Sequence, residues 1–178
     1  MSILIDQNGK VFANKEKANQ LLLPVKIGKF EIKSETKKFI ENDLNELNVD
    51  TLFQCIPTEM KDFCQYKKIF PTKASIFKSK QQEETEKRSE VSQIPHINAG
   101  DEIHFFFGGS YIIYFNQNGQ HLSVIVEAGD WMFIPADVEH WIKETGDQYL
   151  VIVSYHCEPF DIFHSKVKYT ATKSRAYL

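Results

Sequence analysis

The sequence predicts a mainly β fold, a sandwich or jelly-roll barrel with helical additions at its N-terminal end. Three observations carry this. After about residue 90, short apolar strands follow one another at turn-bounded intervals. The turns carry Gly, Asn and Asp, residues that tolerate positive φ. Apolar residues make up 42% of the 178-residue chain, including 14 Phe, which is ample for a barrel interior.

The elements justify themselves in order. Lys15 to Leu23 reads as a short helix, capped by Asn14 and followed by Pro24. Ile27 to Ile32 alternates as a strand does. Ser34 to Leu47 reads as a second helix, because Phe39, Ile40, Leu44 and Leu47 fall on one stripe and Ser34 can cap it. Asp62 to Lys68 is a third, shorter helical segment. Lys80 to Ser89 is highly charged and reads as an exposed helix or a connector leading into the barrel. Strands are then expected at Glu102–Phe107, Tyr111–Phe115, His121–Val126, Trp131–Ile134, His140–Lys143 and Tyr149–Tyr155. Their turns are Gly108-Gly109, Asn116 to Gly119, Ala128 to Asp130 and Thr145 to Asp147. The whole forms one domain over 1–178. Residues 1–90 make a mixed α/β part, 91–157 hold the barrel motifs, and 158–178 form a C-terminal tail.

Composition excludes several classes. A net charge of −3 is wrong for a duplex nucleic-acid binder, which needs a basic face. The lysines from Lys67 to Lys80, with Tyr66, Phe70 and Phe77, read as a solvated, irregular surface segment rather than an anion-binding patch. Cys55, Cys64 and Cys157 are odd in number and irregular in spacing, so they make no disulfide framework. The first residues show no basic segment followed by an apolar stretch, and the apolar runs are too short to span a bilayer. A reducing, cytoplasmic setting is the expectation, with no nucleic-acid or membrane partner.

Chemistry concentrates in His96-Ile97-Asn98-Ala99-Gly100-Asp101-Glu102-Ile103-His104. Side chains alternate along a strand, so His96 shares a face with Asn98, and Glu102 with His104. Imidazole nitrogen and carboxylate oxygen suit Fe, Mn, Ni or Zn. A second piece runs from Gly129-Asp130 to Pro135-Ala136-Asp137-Val138-Glu139-His140, where a turn, a short strand and a Pro-bounded loop deliver His140 to a new strand. Two sequence-distant hairpins can then gather His96, Glu102 and His140 around one ion.

These residues resemble the two motifs of the cupin superfamily. His96, Asn98, Glu102 and Gly109 fall at the spacings of the first motif, without its leading glycine. Gly129, Pro135 and His140 match the second, with Asp137 in place of a glycine. The resemblance narrows to the acireductone dioxygenase family through Glu102-Ile103-His104-Phe105-Phe106 and Pro135-Ala136 followed by His140-Trp141, and the Ala176-Tyr177-Leu178 ending looks similar too. It implies a cupin double-stranded β-helix binding one divalent transition metal, Fe(II) first, with Ni(II), Mn(II) or Zn(II) as alternatives. It also implies a dioxygenase that acts with O₂ on a small enediol or related oxygen-chelating substrate, as a monomer or homodimer.

Two departures stand out. Asn98 occupies the place of the family's second metal histidine, and His104 that of an arginine facing the site. Two histidines and one carboxylate still make the facial triad of non-haem Fe(II) oxygenases. Asn98 is either a carbonyl-oxygen ligand or a turn residue. His104 is the candidate catalytic proton shuttle, though a fourth ligand or a core histidine fits the same parity. His96 and His140 can each be read as satisfied barrel histidines, but Glu102 on an apolar strand needs a partner when buried. Phe106 and Trp141 read as pocket lining or as core. Cys157 reads as a reactive thiol or a plain cysteine, and His121, His156 and His164 as surface residues. A metal-dependent isomerase or lyase and a non-catalytic small-molecule-binding cupin are the alternative functions.

Overall fold

Two β-strands near the middle of the chain show how alternation builds the molecule. Ser110–Gln117 and Gln120–Glu127 bury every second residue, among them Tyr111, Ile113 and Phe115 on one and Leu122, Val124 and Val126 on the other. Each is therefore a strand with one face on a core and one toward solvent. The structure, a computed structural model, describes residues 3–12, 15–42, 52, 54–67, 75–78, 94–117, 119–144, 151–156 and 162–164.

In chain order the strands are β1 (Ile3–Asp6), β2 (Val11–Phe12), β3 (Lys26–Lys29), β4 (Ser75–Lys78), β5 (His96–Asn98), β6 (Glu102–Gly108), β7 (Ser110–Gln117), β8 (Gln120–Glu127), β9 (Asp130–Ile134), β10 (Glu139–Glu144), β11 (Val151–His156) and β12 (Ile162–His164). They form a seven-stranded sheet, β12-β5-β10-β7-β8-β1-β2, and a five-stranded sheet, β3-β9-β6-β11-β4. Every pairing is antiparallel.

Helices among the described residues include α1 (Lys15–Leu22), α2 (Ser34–Asn42) and α3 (Thr58–Tyr66). None of the helices among the described residues is long and apolar enough to cross a membrane.

Unlike β7, strand β6 is buried on both faces from Glu102 to Phe107. Its parity splits the protein into two cores. Phe106 joins Leu4, Ile113, Phe115, Val124, Met132, Ile134 and Ile152 between the sheets. Ile103, Phe105 and Phe107 join Phe133, Val151, Val153 and Tyr155 on the outer face, where Ile40, Ile56 and Met60 of the helical region cover them. Glu102 and His104 share parity with Phe106, so β6 carries them between the sheets.

The expected strands from Glu102 onward are present, each within about two residues of the expected ends at their described residues. Gly109, Gly119 and Gly129 adopt φ of 79°, 78° and 86° at the turns named for them. Several expectations need correction. The mixed N-terminal part contributes β1, β2, β3 and β4 to the two sheets. Ser75–Lys78, read as irregular surface, is a strand because it pairs with β11. The tail contains β12, paired with β5. The strand expected to Ile32 ends at Lys29, and the third helix begins at Thr58, ahead of the expected Asp62. Asn14, Leu44, Leu47, Lys80 to Ser89, Thr145 to Asp147 and Cys157 lie outside the described residues.

Candidate metal centre

Both sheets contribute to the site. His140 of β10 and His96 of β5 are direct cross-strand partners in the seven-stranded sheet, and their rings stand 4.4 Å apart between centroids. Glu102 and His104 face them from β6 of the other sheet. His96, Asn98, Glu102, His104 and His140 are all buried, none more than 6% exposed.

Two backbone ties position the histidines. Asp101 Oδ1 accepts a hydrogen bond from the Ala136 N–H at 2.9 Å, and the Asn98 carbonyl accepts one from the Asp137 N–H at 3.0 Å. They hold the irregular step at 99–101 against the loop at 135–138, so β10 starts beside β5. Asp137 takes φ of 63° there, a left-handed conformation that Asp tolerates better than most residues. This is the physical reason a glycine also suits the position.

The ring nitrogens are differently held. His96 Nδ1 lies 2.8 Å from the Ile94 carbonyl, and His140 Nδ1 2.9 Å from the Val138 carbonyl. A carbonyl only accepts, so each Nδ1 carries a proton and donates it. In the neutral ring this leaves Nε2 as a lone pair, the tautomer in which histidine binds a metal. His140 Nε2 is 2.7 Å from Glu102 Oε1, and His104 Nε2 is 3.4 Å from the same oxygen. His104 Nδ1 meets the Ser154 hydroxyl at 2.7 Å.

Burial by itself would raise the Glu102 carboxyl. The imidazoles of His104 and His140 outweigh it and hold the carboxyl well below the usual carboxylate range. Burial would likewise lower His140, but the Glu102 carboxylate beside it pushes the imidazole above its ordinary value.

Among the described residues, no three His, Cys, Asp or Glu side chains stand converged as a ready metal cage. The 2.7 Å contact fits that finding, since two ligands of one ion stand about 3 Å apart or more. A proton on His140 and a metal ion compete for one place. The donor set itself fits a transition metal, with two imidazoles in the ligating tautomer, one ionised carboxylate, and the buried Asn98 Oδ1, which has no hydrogen-bond partner among the described residues.

The structure thus brings all five predicted site residues together. Phe106 is interior, with its ring 6.2 Å from that of His104. Trp141 alternates away from His140 and stacks on Tyr114 of β7 at 5.2 Å, nearly parallel, so it does not line the site. His121 is exposed, as expected. Sequence reasoning missed Ser154. Its signal was parity, a hydroxyl on the inward phase of an otherwise apolar strand with Ile152.

No family model matches the chain. Acireductone dioxygenase of Synechococcus sp. (strain CC9311) is 33% identical over 60 residues, which is 34% of this chain and 30% of that relative's length. The solved structure of acireductone dioxygenase from Bacillus anthracis, with a cadmium ion in its active centre, superposes with a TM-score of 0.70. That superposition covers 93% of this chain and 94% of the other at 18% identity. Structures of Bacillus subtilis oxalate decarboxylase align with a TM-score of 0.37 over 40% of this chain and 20% of theirs, at 17% identity. This chain therefore has the cupin fold of acireductone dioxygenase, and its sequence is similar to that enzyme's over about a third of this chain.

Proposed function

We propose that the chain is a metal-dependent dioxygenase of the acireductone dioxygenase kind, acting with O₂ on a small enediol or related oxygen-chelating substrate. One observation carries the reading: two histidines with Nδ1 pinned to backbone carbonyls face an ionised glutamate across the interior of a cupin barrel. His96, Glu102 and His140 hold one divalent transition metal, Fe(II) first among the candidates, with the Asn98 amide oxygen beside them. The metal supplies Lewis acidity and a template that orients substrate and O₂.

The chain's own residues do the rest. His104 takes a proton from the substrate hydroxyl at Nε2, and the Ser154 hydroxyl positions its ring. Phe106, Phe115 and Met132 line the interior between the sheets and keep water from the anionic substrate. The cadmium ion in the active centre of the Bacillus anthracis protein, which shares this fold, supports a divalent metal here.

The test is elemental analysis of gently purified protein, followed by O₂ uptake with anaerobically generated enediols, acireductone among them. A near-stoichiometric transition metal and O₂ consumption are expected. Protein that carries no metal and takes up neither Fe(II), Ni(II) nor Zn(II) would overturn the proposal. Turnover without O₂ uptake would point to an isomerase or lyase, and tight binding without turnover to a non-catalytic binding cupin.

A further inference from the structure

The candidate metal centre lies at one end of the barrel, and strand register shows which end. Glu102 begins β6 and opposes Ile134, the last residue of β9. His140 stands near the start of β10 and opposes Phe115, near the end of β7, which in turn opposes Leu122 of β8. Farther along these strands the space between the sheets is filled. Tyr111, Ile113, Val124 and Val126 are buried there, and the Tyr111 and Phe106 rings pack at 5.5 Å.

The segment joining α1 to β3 crosses this same end. Lys26 opposes Phe133, so Val25, one residue earlier, stands level with Ile134 and hence with Glu102. The Leu22 carbonyl accepts hydrogen bonds from the Val25 N–H at 2.8 Å and from Gln117 Nε2 at 3.0 Å. Gln117 lies two residues beyond Phe115, on the same face of β7. Asn19 of α1 ties the helix to β3, its amide oxygen accepting the Ile27 N–H at 2.9 Å. Leu22 and Val25 are fully buried from this strap in one core with Phe106 and Phe115, whereas Leu21, Leu23 and Pro24 face solvent. Phe115 and Phe106 hold their rings 6.3 and 6.2 Å from those of His140 and His104. An apolar wall thus runs from the imidazoles to the strap. We propose that Leu22 and Val25 close this end of the barrel over the metal centre and set the length of apolar substituent that a chelating ligand can carry. The ligand's oxygens take the metal, and its substituent, barred from the filled interior, runs toward the strap. The inference rests on the metal-centre reading above and deepens it by assigning what limits substrate size.

The experiment uses the full chain reloaded with Co(II), whose visible absorption reports binding, and titrates it with straight-chain alkyl hydroxamates of increasing length. In the unaltered protein each added methylene should tighten binding about four-fold until the chain meets the strap, after which affinity should stop rising. In Leu22→Ala that break should move outward by about two methylenes, and the first chain too long for the unaltered protein should bind about ten-fold tighter or more. Leu22→Phe should move the break inward. Val126→Ala, about 13 Å along β8 from Leu122, should leave it in place. Melting checks folding, and Val25→Ala replaces Leu22→Ala if the latter does not fold. A break that stays put in the strap variants, or that moves as far in Val126→Ala, overturns the inference while the site reading survives. If no hydroxamate perturbs the Co(II) spectrum of the unaltered protein, the site reading fails and takes this inference with it. If the break moves as expected but no enediol consumes O₂, the inference stands and the dioxygenase reading fails alone.

Discussion

His104 differs from the other site histidines in what holds its ring. Backbone carbonyls at His96 and His140 fix one tautomer, whereas the Ser154 hydroxyl can donate or accept. His104 can therefore carry either a lone pair or a proton at Nε2, as a proton shuttle must. His104→Ala should slow turnover about 100-fold or more while metal content stays near that of the unaltered protein. Ser154→Ala should give a smaller loss, and His140→Ala should strip the metal. Equal metal loss in the His104 and His140 variants would make His104 a ligand instead. Asn98 and His104 also bear on the substrate. An amide donates less to the metal than an imidazole, and an imidazole lacks the five-donor guanidinium fork that arginine would offer an anion. A deficit of one to a few kcal/mol would make acireductone turnover roughly ten-fold to several hundred-fold slower than the family's rate. The double variant Asn98→His with His104→Arg should raise it. Decay of anaerobically generated acireductone on adding O₂ measures this, and family-like rates in the unaltered protein would refute it.

At the scale of elements, strand β3 shows how tightly the N-terminal part is built into the barrel. Gly28 opposes Trp131 of β9, and the indole lies over the place a side chain would fill. A Cβ there would come within 2.2 Å of the Trp131 ring. The same two strands are tied by Lys29 and Asp130, whose carboxylate also accepts the Glu127 N–H at 2.9 Å. Gly28→Ala should thus lower stability by about 1–3 kcal/mol through overpacking. Denaturant midpoints at an unchanged slope would read it, and an unaffected midpoint would mean that Trp131 can swing away freely. Because β9 also pairs with β6, which carries Glu102 and His104, this variant should weaken metal retention as well.

For the whole molecule, the buried Glu102–His140 pair couples folding to pH. The Glu102 carboxyl is held low, so its contribution is present above its ordinary value of 4.5 and fades as pH falls through the folded value. The His140 imidazole is held high, so its contribution is complete below 6.5 and fades as pH rises through the folded value. Chelator-stripped protein should consequently be most stable between about pH 4.5 and 6.5. In the loaded protein a metal takes the proton's place on His140, and stability should instead rise above that window. Unfolding curves at about pH 3.5, 5.5 and 8 test both arms. A stripped protein that gains stability between the last two would refute the pairing.

Local pattern was enough to reveal the barrel strands after Glu102, the turn glycines and the inward parity of Glu102, His104 and Phe106. Alternation and positive φ are properties of a few neighbouring residues, and β7 and β8 show them without help from the rest of the fold. The spacing of His96, Glu102 and His140 likewise singled out residues that the fold buries near one another. What local pattern could not reveal was strand pairing across long separations. Ser75–Lys78 became a strand through β11, Ser154 of β11 met His104 of β6, and β12 returned to pair with β5. The 2.7 Å approach of Glu102 to His140 also joins two sheets, so the protonation of that pair was decided by tertiary structure alone. Register between distant strands is set by how the two cores fill, and a linear pattern of side chains does not contain that information.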